Sequence, residues 1–392
     1  MFFRKSFYLI FLLTLFFYKG FGQTALLDKT AEYLKQNNLQ SAKETIEQAS
    51  QNEATKNDAR TWYLKGFVYK ELYKQNPVAG EIREIAVQSL SKSITLDLKK
   101  TYTSSSETAL EYLYGTYYNE GIDLLNAKQF EKALKDLKIF IDYRAKTKPD
   151  EFYAEALYHA GFISFSLSKK VDAQQYYEQA LQKGYKSPLL YDDLAQIYLG
   201  TANKTKAVEV ITAGRKAFPD DPNLRTSEIN LYLQLKEYAK AEKLIEDYLK
   251  ANPNDTDAMM VAGSVYETIA KKDTTKEEAY FQKRLSIYKK ILGKEPNNFL
   301  ANYNLGIAFY NHAVDLINKP DVYQETITQF NQRIEVISSL IVESRPYIEK
   351  ASQLSPQNIN SLKALSGIYH YLNDRDRFQQ VQNKIKLLEN KN

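Results

Sequence analysis

The chain has 392 residues, 44% of them hydrophobic, with 14 glycines and 10 prolines, a composition that suits several domains or one long, almost wholly helical repeat array. It contains no cysteine, which excludes disulfide frameworks, thiolate metal sites and thiol catalysis. The formal charge of +5 falls to +2 when the three basic residues of the first 22 positions are set aside, and so small a charge argues against nucleic-acid binding.

Met1–Gly22 is predicted to be a secretory signal peptide. Arg4 and Lys5 form its positive end, residues 7–18 form an apolar run, and small residues precede Gln23. The run is short for a membrane span, which needs roughly 20 residues. The alternative is an uncleaved N-terminal anchor, because two further phenylalanines lengthen the apolar segment. Either reading places the repeats outside the cytoplasm, in the periplasm or outer cell envelope, and the mature chain is not expected to span a membrane.

Nine pairs of antiparallel helices are predicted between residues 24 and 388. A Ser/Thr-rich stretch at 101–108 interrupts them, and Ser104 with Glu107 predicts a capping box that starts a long helix. We interpret this stretch as a joint between sub-arrays, with a plain long loop as the alternative. The predicted domains are the signal peptide (1–22), N-terminal repeats (23–99), a central array (107–297), and C-terminal repeats with a long hairpin and a capping helix (298–392).

The clearest pair lies within Ser187–Asp220. Ser187 and Pro188 predict an N-cap followed by a first-turn proline. Two helices cross closely only where a side chain is nearly absent, and the sequence supplies such positions at one fixed period. Gly161, Ala195, Ile229 and Gly263 are each 34 residues apart.

The eighth pair is predicted to be an over-long helical hairpin near residues 299–354, with its second helix starting after Pro320. Apolar residues of that helix recur at alternating steps of four and three, which is a heptad-like seam. They are Tyr323, Ile327, Phe330, Ile334, Ile337 and Ile341. A helix from there to Leu354 would be on the order of 50 Å long, so we expect the hairpin to project beyond its neighbours.

Bulky, small and aromatic residues at a fixed offset, followed by alanine, an apolar residue and proline, resemble the tetratricopeptide repeat. The resemblance covers roughly residues 24–388 and is strongest between 109 and 310. It implies an all-α fold, an α-solenoid of about nine helix-turn-helix repeats coiled as a right-handed superhelix. The motif encodes packing, so it is specific for fold and weak for function.

The resemblance also implies a groove lined by the first helix of each pair. In the family, the residue three before the small position and those one and four after it commonly point into this groove. Here they are Tyr63, Phe67 and Lys70; Tyr158, Phe162 and Phe165; Asp192 and Gln196; Thr226 and Asn230; Met260, Ser264 and Glu267; and Tyr303, Ile307 and Tyr310. The aromatic members either support neighbouring helices or form floors beside a hydrogen-bonding centre that binds an extended peptide or a partner helix.

One family variant is not expected. Members that grip the acidic tails of heat-shock chaperones carry Lys and Asn at set groove positions. In this sequence those places hold Asp192, Gln196, Thr226 and Asp257, so that carboxylate clamp is not rebuilt.

Catalytic, cofactor and metal sites are not expected either. His159, His312 and His370 lie in different repeats, and none has a second ligand at metal spacing. No glycine-rich phosphate loop follows a strand, and no serine occupies a nucleophile elbow. Paired acids such as Glu277-Glu278 are typical of solvated helix faces. We therefore predict a non-enzymatic protein.

Leader and repeats together predict an exported scaffold of the bacterial periplasm or cell envelope that binds protein partners. One alternative is a carbohydrate- or peptidoglycan-binding module, because groove aromatics can stack on sugars, although Trp62 is the single tryptophan. The other is an accessory subunit of an envelope enzyme or transport complex.

Overall fold

The computed structural model describes residues 24–77, 80–147, 149–318 and 325–390. Regular structure within these ranges is helical, with no strand. The first eight helices are α1 (24–35), α2 (Leu39–Gln51), α3 (Ala59–Gln75), α4 (Gly80–Leu96), α5 (Thr103–Asn126), α6 (Phe130–Lys146), α7 (Glu151–Ser166) and α8 (Lys170–Gln182). The remaining ten are α9 (Pro188–Gly200), α10 (Lys204–Ala217), α11 (Pro222–Gln234), α12 (Tyr238–Ala251), α13 (Thr256–Lys272), α14 (Glu277–Lys294), α15 (Phe299–Ile317), α16 (Ile327–Leu354), α17 (Ile359–Tyr371) and α18 (Arg375–Glu389).

These helices form the nine predicted pairs, each odd-numbered helix followed by its even-numbered partner. The all-α solenoid fold is therefore confirmed. The chain divides into two compact units between Lys186 and Ser187, so that α1–α8 belong to the first and α9–α18 to the second. The domain boundaries drawn from the sequence stay a prediction.

Small residues at the helix crossings set how closely the two helices of a pair approach. A Cβ atom on Gly161 of α7 would lie 2.6 Å from the Tyr177 ring of α8, closer than real Cβ atoms come to a neighbour. Ala195 and Ile229, at the same register, are buried, and Gly263 faces Tyr288 in the same way. The predicted 34-residue register is confirmed, because each of its positions lies at a packed interface.

Two predicted helix starts differ from the structure. Ser187 does precede the first-turn proline of α9, but its side chain makes no capping hydrogen bond. The capping box of Ser104 and Glu107 is wrong, because α5 already begins at Thr103 and Ser104 lies inside it. Asp97, in the turn that precedes α5, caps the start of this helix instead. Its carboxylate accepts hydrogen bonds from the backbone N–H groups of Thr101 (3.0 Å), Tyr102 (2.6 Å) and Thr103 (2.9 Å).

The long hairpin consists of α15 and α16, and α16 spans 28 residues, or about 42 Å. It begins at Ile327, where Thr326 and Gln329 form a capping box. The earlier start predicted after Pro320, and Tyr323 of the seam, lie outside the described residues. Within the seam, Ile337 and Ile341 are buried, whereas the three residues nearer the start of α16 are exposed.

A recurring hydrogen bond links consecutive repeats. In three of them, the tyrosine three residues after the small position donates its hydroxyl to a glutamate on the preceding second helix. The pairs are Tyr69–Glu47 (2.7 Å), Tyr266–Glu246 (3.3 Å) and Tyr369–Glu349 (2.8 Å). A basic side chain reaches each glutamate as well, namely Lys65 (2.9 Å), Lys283 (2.9 Å) and Arg377 (3.2 Å). Burial, followed by the hydrogen bond to Glu349, raises the pKa of Tyr369 to about 12.

We predict that one added methyl group has opposite effects at two glycines of the first unit. Gly161→Ala should lower the free energy of unfolding by about 1–3 kcal/mol, because its Cβ meets a buried ring. Gly115→Ala is the matched control. No atom lies within 4 Å of its Cβ position, so the helix should gain about 0.5–1 kcal/mol. Chemical denaturation measures both, and a shift in the same direction for the two variants would contradict the packing assigned to Gly161.

We also predict that the contribution of the Tyr369 hydroxyl disappears at alkaline pH. The pKa of this phenol is raised from 10.0 to about 12 in the folded chain, so the stabilisation is complete below pH 10 and is lost as the pH rises toward 12. Tyr369→Phe should lower the free energy of unfolding by about 1 kcal/mol at pH 7. Denaturation curves at several pH values should show this difference narrowing above pH 10.

Tyr112→Phe, which alters an exposed tyrosine, is the control and should change little at any pH. If the difference in unfolding free energy between the wild type and Tyr369→Phe stayed constant up to pH 12, ionisation of the Tyr369 hydroxyl would not affect stability, and the prediction would be wrong.

Candidate functional site

A cleft of about 460 Å³ opens on the first helices of three consecutive repeats in the second unit. Its lining residues come from α11, α13 and α15, and all of them are uncharged. They are Thr226, Asn230 and Leu233; Met260, Val261, Ser264, Val265 and Thr268; and Leu300 and Asn304. The lining therefore combines amide and hydroxyl groups with aliphatic side chains. We name this surface the central cleft.

Acidic residues border the central cleft on the side of α12. A smaller cleft of about 280 Å³ shares Thr226 and Val261 with it and adds Asp220, Asp255 and Asp257. The side chains of Asp220 and Asp257 are exposed.

The one basic side chain that lines the smaller cleft, Arg225, is buried. The guanidinium of Arg225 is buried and stacks on the Tyr248 ring, 3.3 Å from its centroid. Asp255 accepts hydrogen bonds from the Ala258 backbone N–H (2.9 Å) and the Tyr248 hydroxyl (2.7 Å). These bonds, the backbone bond first, hold the pKa of Asp255 below its ordinary value. The surface charge at this border is therefore negative.

A third cleft, of about 350 Å³, lies between the ends of α13, α14 and α15 and carries both signs of charge. The ring of His312 stacks on Phe281 with 4.2 Å between centroids. Its Nδ1 lies 3.7 Å from Glu277, and its Nε2 lies 3.5 Å from Glu278. The two nitrogens thus face two different carboxylates, an arrangement that does not converge on a single metal ion.

Within the described ranges, no group of three or more His, Asp or Glu side chains is placed to hold a metal ion. None of the helices within those ranges combines the length and apolar character needed to cross a bilayer.

The predicted groove aromatics of the first unit pack against one another. Tyr63 contacts Phe67 (4.6 Å between ring centroids) and Tyr102 (4.8 Å). The Lys70 ammonium lies 4.4 Å from the Phe67 centroid, and Glu71 pairs with the same ammonium at 3.1 Å. These side chains are half-buried, so their faces are partly covered by their own neighbours.

The second aromatic group behaves similarly. Tyr158 stacks on Tyr185 with 4.6 Å between centroids and a 20° angle between planes. Phe162 and Phe165 are half-buried on the same helix. The structure therefore brings these residues together on α7, with Tyr185 covering one face of Tyr158.

Five further predicted residues form two sets in the second unit. Asp192 and Gln196 are half-buried on α9. Tyr303, Ile307 and Tyr310 pack at the edge of the core formed by α14–α17. The Tyr310 hydroxyl occupies the space where a Cβ on Gly367 of α17 would lie, so Tyr310 packs against α17.

The central cleft contains four residues that the sequence placed in a groove, namely Thr226, Asn230, Met260 and Ser264. Sequence reasoning did not name the other six lining residues. Leu233 follows from the offset rule at four after the small position. The other five lie at offsets that the rule does not include; Val261, for example, is two residues before Gly263. Successive residues are about 100° apart around a helix, so these side chains lie on the strip of helix surface next to the predicted one.

The family match falls on the same unit. Residues 193–256 and 226–290, which run from α9 to α14, match the tetratricopeptide repeat model. This part of the chain consists of tetratricopeptide repeats. Repeats of this kind indicate a protein–protein interaction scaffold, and the family is generally non-enzymatic.

Several solved tetratricopeptide repeat structures are similar in fold. One from Parabacteroides merdae ATCC 43184 is 14% identical, with 70% of this chain and 98% of that chain covered and a TM-score of 0.45. The C-terminal part of a repeat protein from Cytophaga hutchinsonii is 13% identical, with 70% and 96% covered and a TM-score of 0.47. YrrB, described as having an unusual peptide-binding site, is 17% identical, with 55% and 97% covered and a TM-score of 0.36. No curated protein sequence matches the chain significantly.

Proposed function

We propose that this tetratricopeptide repeat protein is an exported, non-enzymatic scaffold of the bacterial periplasm or cell envelope. In this proposal it holds an extended segment of a protein partner in the central cleft. The observation that carries the proposal is the lining of that cleft, which combines uncharged amides and hydroxyls with aliphatic side chains on three consecutive first helices. Hydrogen-bonding groups suit the main chain of a peptide, and the aliphatic positions suit its side chains.

The size of the cleft sets the length of the segment. The cleft runs across three first helices, so an extended segment of several residues is expected to cross it. Exposed Asp220 and Asp257 at one border favour a basic residue at the flank of the segment. Acidic tails of the kind held by a carboxylate clamp would be repelled there.

The site supports the two alternative functions to different extents. Sugar binding needs open aromatic faces, yet the central cleft is lined without an aromatic residue, and the aromatics of α3 and α7 pack against neighbouring rings. The carbohydrate-binding alternative is therefore less well supported. An accessory role in an envelope enzyme or transport complex is a specific form of the scaffold proposal, with the active site on the partner.

We predict that a bulky cation placed in the central cleft weakens peptide binding. Peptides selected from a random library on the purified protein should have an uncharged centre and a basic flank. Ser264→Arg should weaken their binding at least tenfold, a loss of about 1.4 kcal/mol or more, as measured by isothermal titration calorimetry.

Ser91→Arg on α4 is the matched control. Ser91 and Ser264 are both exposed, and each donates its hydroxyl to the carbonyl four residues earlier (2.8 and 3.3 Å). Binding unchanged in Ser264→Arg, or weakened equally in both variants, would remove the central cleft as the binding site.

Export is tested separately. In a bacterial host, the chain should be recovered from the envelope fraction with Gln23 as its first residue, as shown by intact mass and N-terminal sequencing. A variant lacking residues 1–22 should stay in the cytoplasm. Retention of Met1 in the membrane fraction would favour the anchor, and an intact chain in the cytoplasm would contradict export.

A further inference from the structure

A carboxylate lies between aromatic rings on one face of α7, in the first unit. Phe152, Glu155 and Tyr158 follow one another at steps of three residues, which places their side chains side by side on the helix. Tyr118 of α5 contacts Phe152 at 5.7 Å between ring centroids, and Tyr185 stacks on Tyr158 at 4.6 Å. Rings therefore lie on both sides of the carboxylate. We name these five side chains the Glu155 site.

The centre of the Glu155 site is open to solvent. The side chain of Glu155 is 40% exposed and Phe152 is 46% exposed, whereas the three tyrosines are half-buried. Burial, followed by the neighbouring Glu155 carboxylate, raises the pKa of Tyr118. Burial, followed by Tyr158 and Glu155, raises the pKa of Tyr185 to about 12. Both phenols are therefore neutral at pH 7, and the carboxylate supplies the charge of the site.

The described part of the chain does not compensate this charge. The helix α7 carries Glu151 and Glu155 but no lysine or arginine. Within the described ranges, the ion-pairing group beside Glu155 is His159, whose Nε2 lies 3.5 Å from the carboxylate. Burial outweighs the effect of that carboxylate and lowers the pKa of His159, so the imidazole is neutral at pH 7. The Glu155 site thus combines a negative charge with exposed aromatic surface.

The chain holds one of its own arginines with the same two kinds of side chain. The guanidinium of Arg83 lies 3.5 Å from the ring centroid of Tyr117 and pairs with Glu120 at 2.8 Å. Tyr117 and Glu120 are three residues apart on α5, as Glu155 and Tyr158 are on α7. A planar guanidinium suits such a pair, because it stacks on a ring while its N–H groups bind a carboxylate. At Glu155 the described residues supply the ring and the carboxylate without the cation.

We propose that the Glu155 site binds an arginine side chain of a protein partner, with the guanidinium on the Glu155 carboxylate and against the ring of Phe152. The negative charge selects a cation, and the ring beside it favours arginine over lysine, whose ammonium group is compact and strongly hydrated. This inference goes beyond the proposed function, because the Glu155 site belongs to the first unit and the central cleft to the second.

Saturation-transfer NMR on the purified full chain tests the proposal with a capped pentapeptide that has arginine at its centre and alanine elsewhere. The peptide is titrated from about 0.1 to 20 mM, a range that covers weak contacts of a single side chain. Every protein carries Asp220→Asn and Asp257→Asn, so that the acidic border of the central cleft does not attract the peptide. The arginine methylene signals should saturate, and Glu155→Gln should raise the dissociation constant at least fivefold.

Glu151→Gln is the matched control, because it removes the same charge from an exposed position of the same helix and should change binding less than twofold. Phe152→Leu keeps an apolar side chain without a ring face and should weaken binding at least twofold. Two further peptides leave the protein unchanged: citrulline, the neutral isostere, should abolish saturation, and lysine should bind more weakly than arginine.

Three results would overturn the proposal. They are an arginine peptide that gives no saturable signal, a citrulline peptide that binds as well as the arginine peptide, and equal weakening by Glu155→Gln and Glu151→Gln. Unchanged binding in Phe152→Leu would overturn the role of the ring, and a lysine peptide that binds as tightly would overturn the preference for arginine. None of these results depends on whether the central cleft binds a peptide.

Discussion

The close crossing of two helices at a small residue is the interaction on which each repeat depends. At Gly161 the Tyr177 ring takes the place that a side chain would fill, and at Gly306 the Ile348 side chain does the same, 2.6 Å from the Cβ position. Because one residue carries almost no side chain, its partner can be large and fully covered. A pair held in this way presents a fixed outer face to the next pair.

Contacts between successive repeats follow from that fixed face. The tyrosine three residues after the small position emerges one turn further along the first helix, within reach of a glutamate on the preceding repeat. Each hydrogen bond is formed by residues close in sequence, about 20 positions apart. Each repeat within a unit is therefore stabilised mainly by the repeats next to it, as in other repeat arrays.

Periodic packing could be predicted from the sequence, whereas features set by single side chains could not. The register of Gly161, Ala195, Ile229 and Gly263 follows from spacing alone, since a buried crossing recurs once per repeat. The start of α5 does not follow, because Asp97 reaches it from outside the local Ser/Thr pattern and satisfies its first amides. In the same way, offsets on a helix predicted that Tyr158 faces a groove, but not that Tyr185 stacks on it.

The uncharged lining of the central cleft also determines how binding there would respond to the surroundings. Contacts made by Asn230, Ser264 and the aliphatic side chains around them are dipolar and apolar, and such contacts are little screened by dissolved salt. Only the flank near Asp220 and Asp257 would respond to ionic strength. A segment held in the cleft would therefore keep most of its affinity when the salt concentration changes, at the expense of the faster capture that long-range attraction provides.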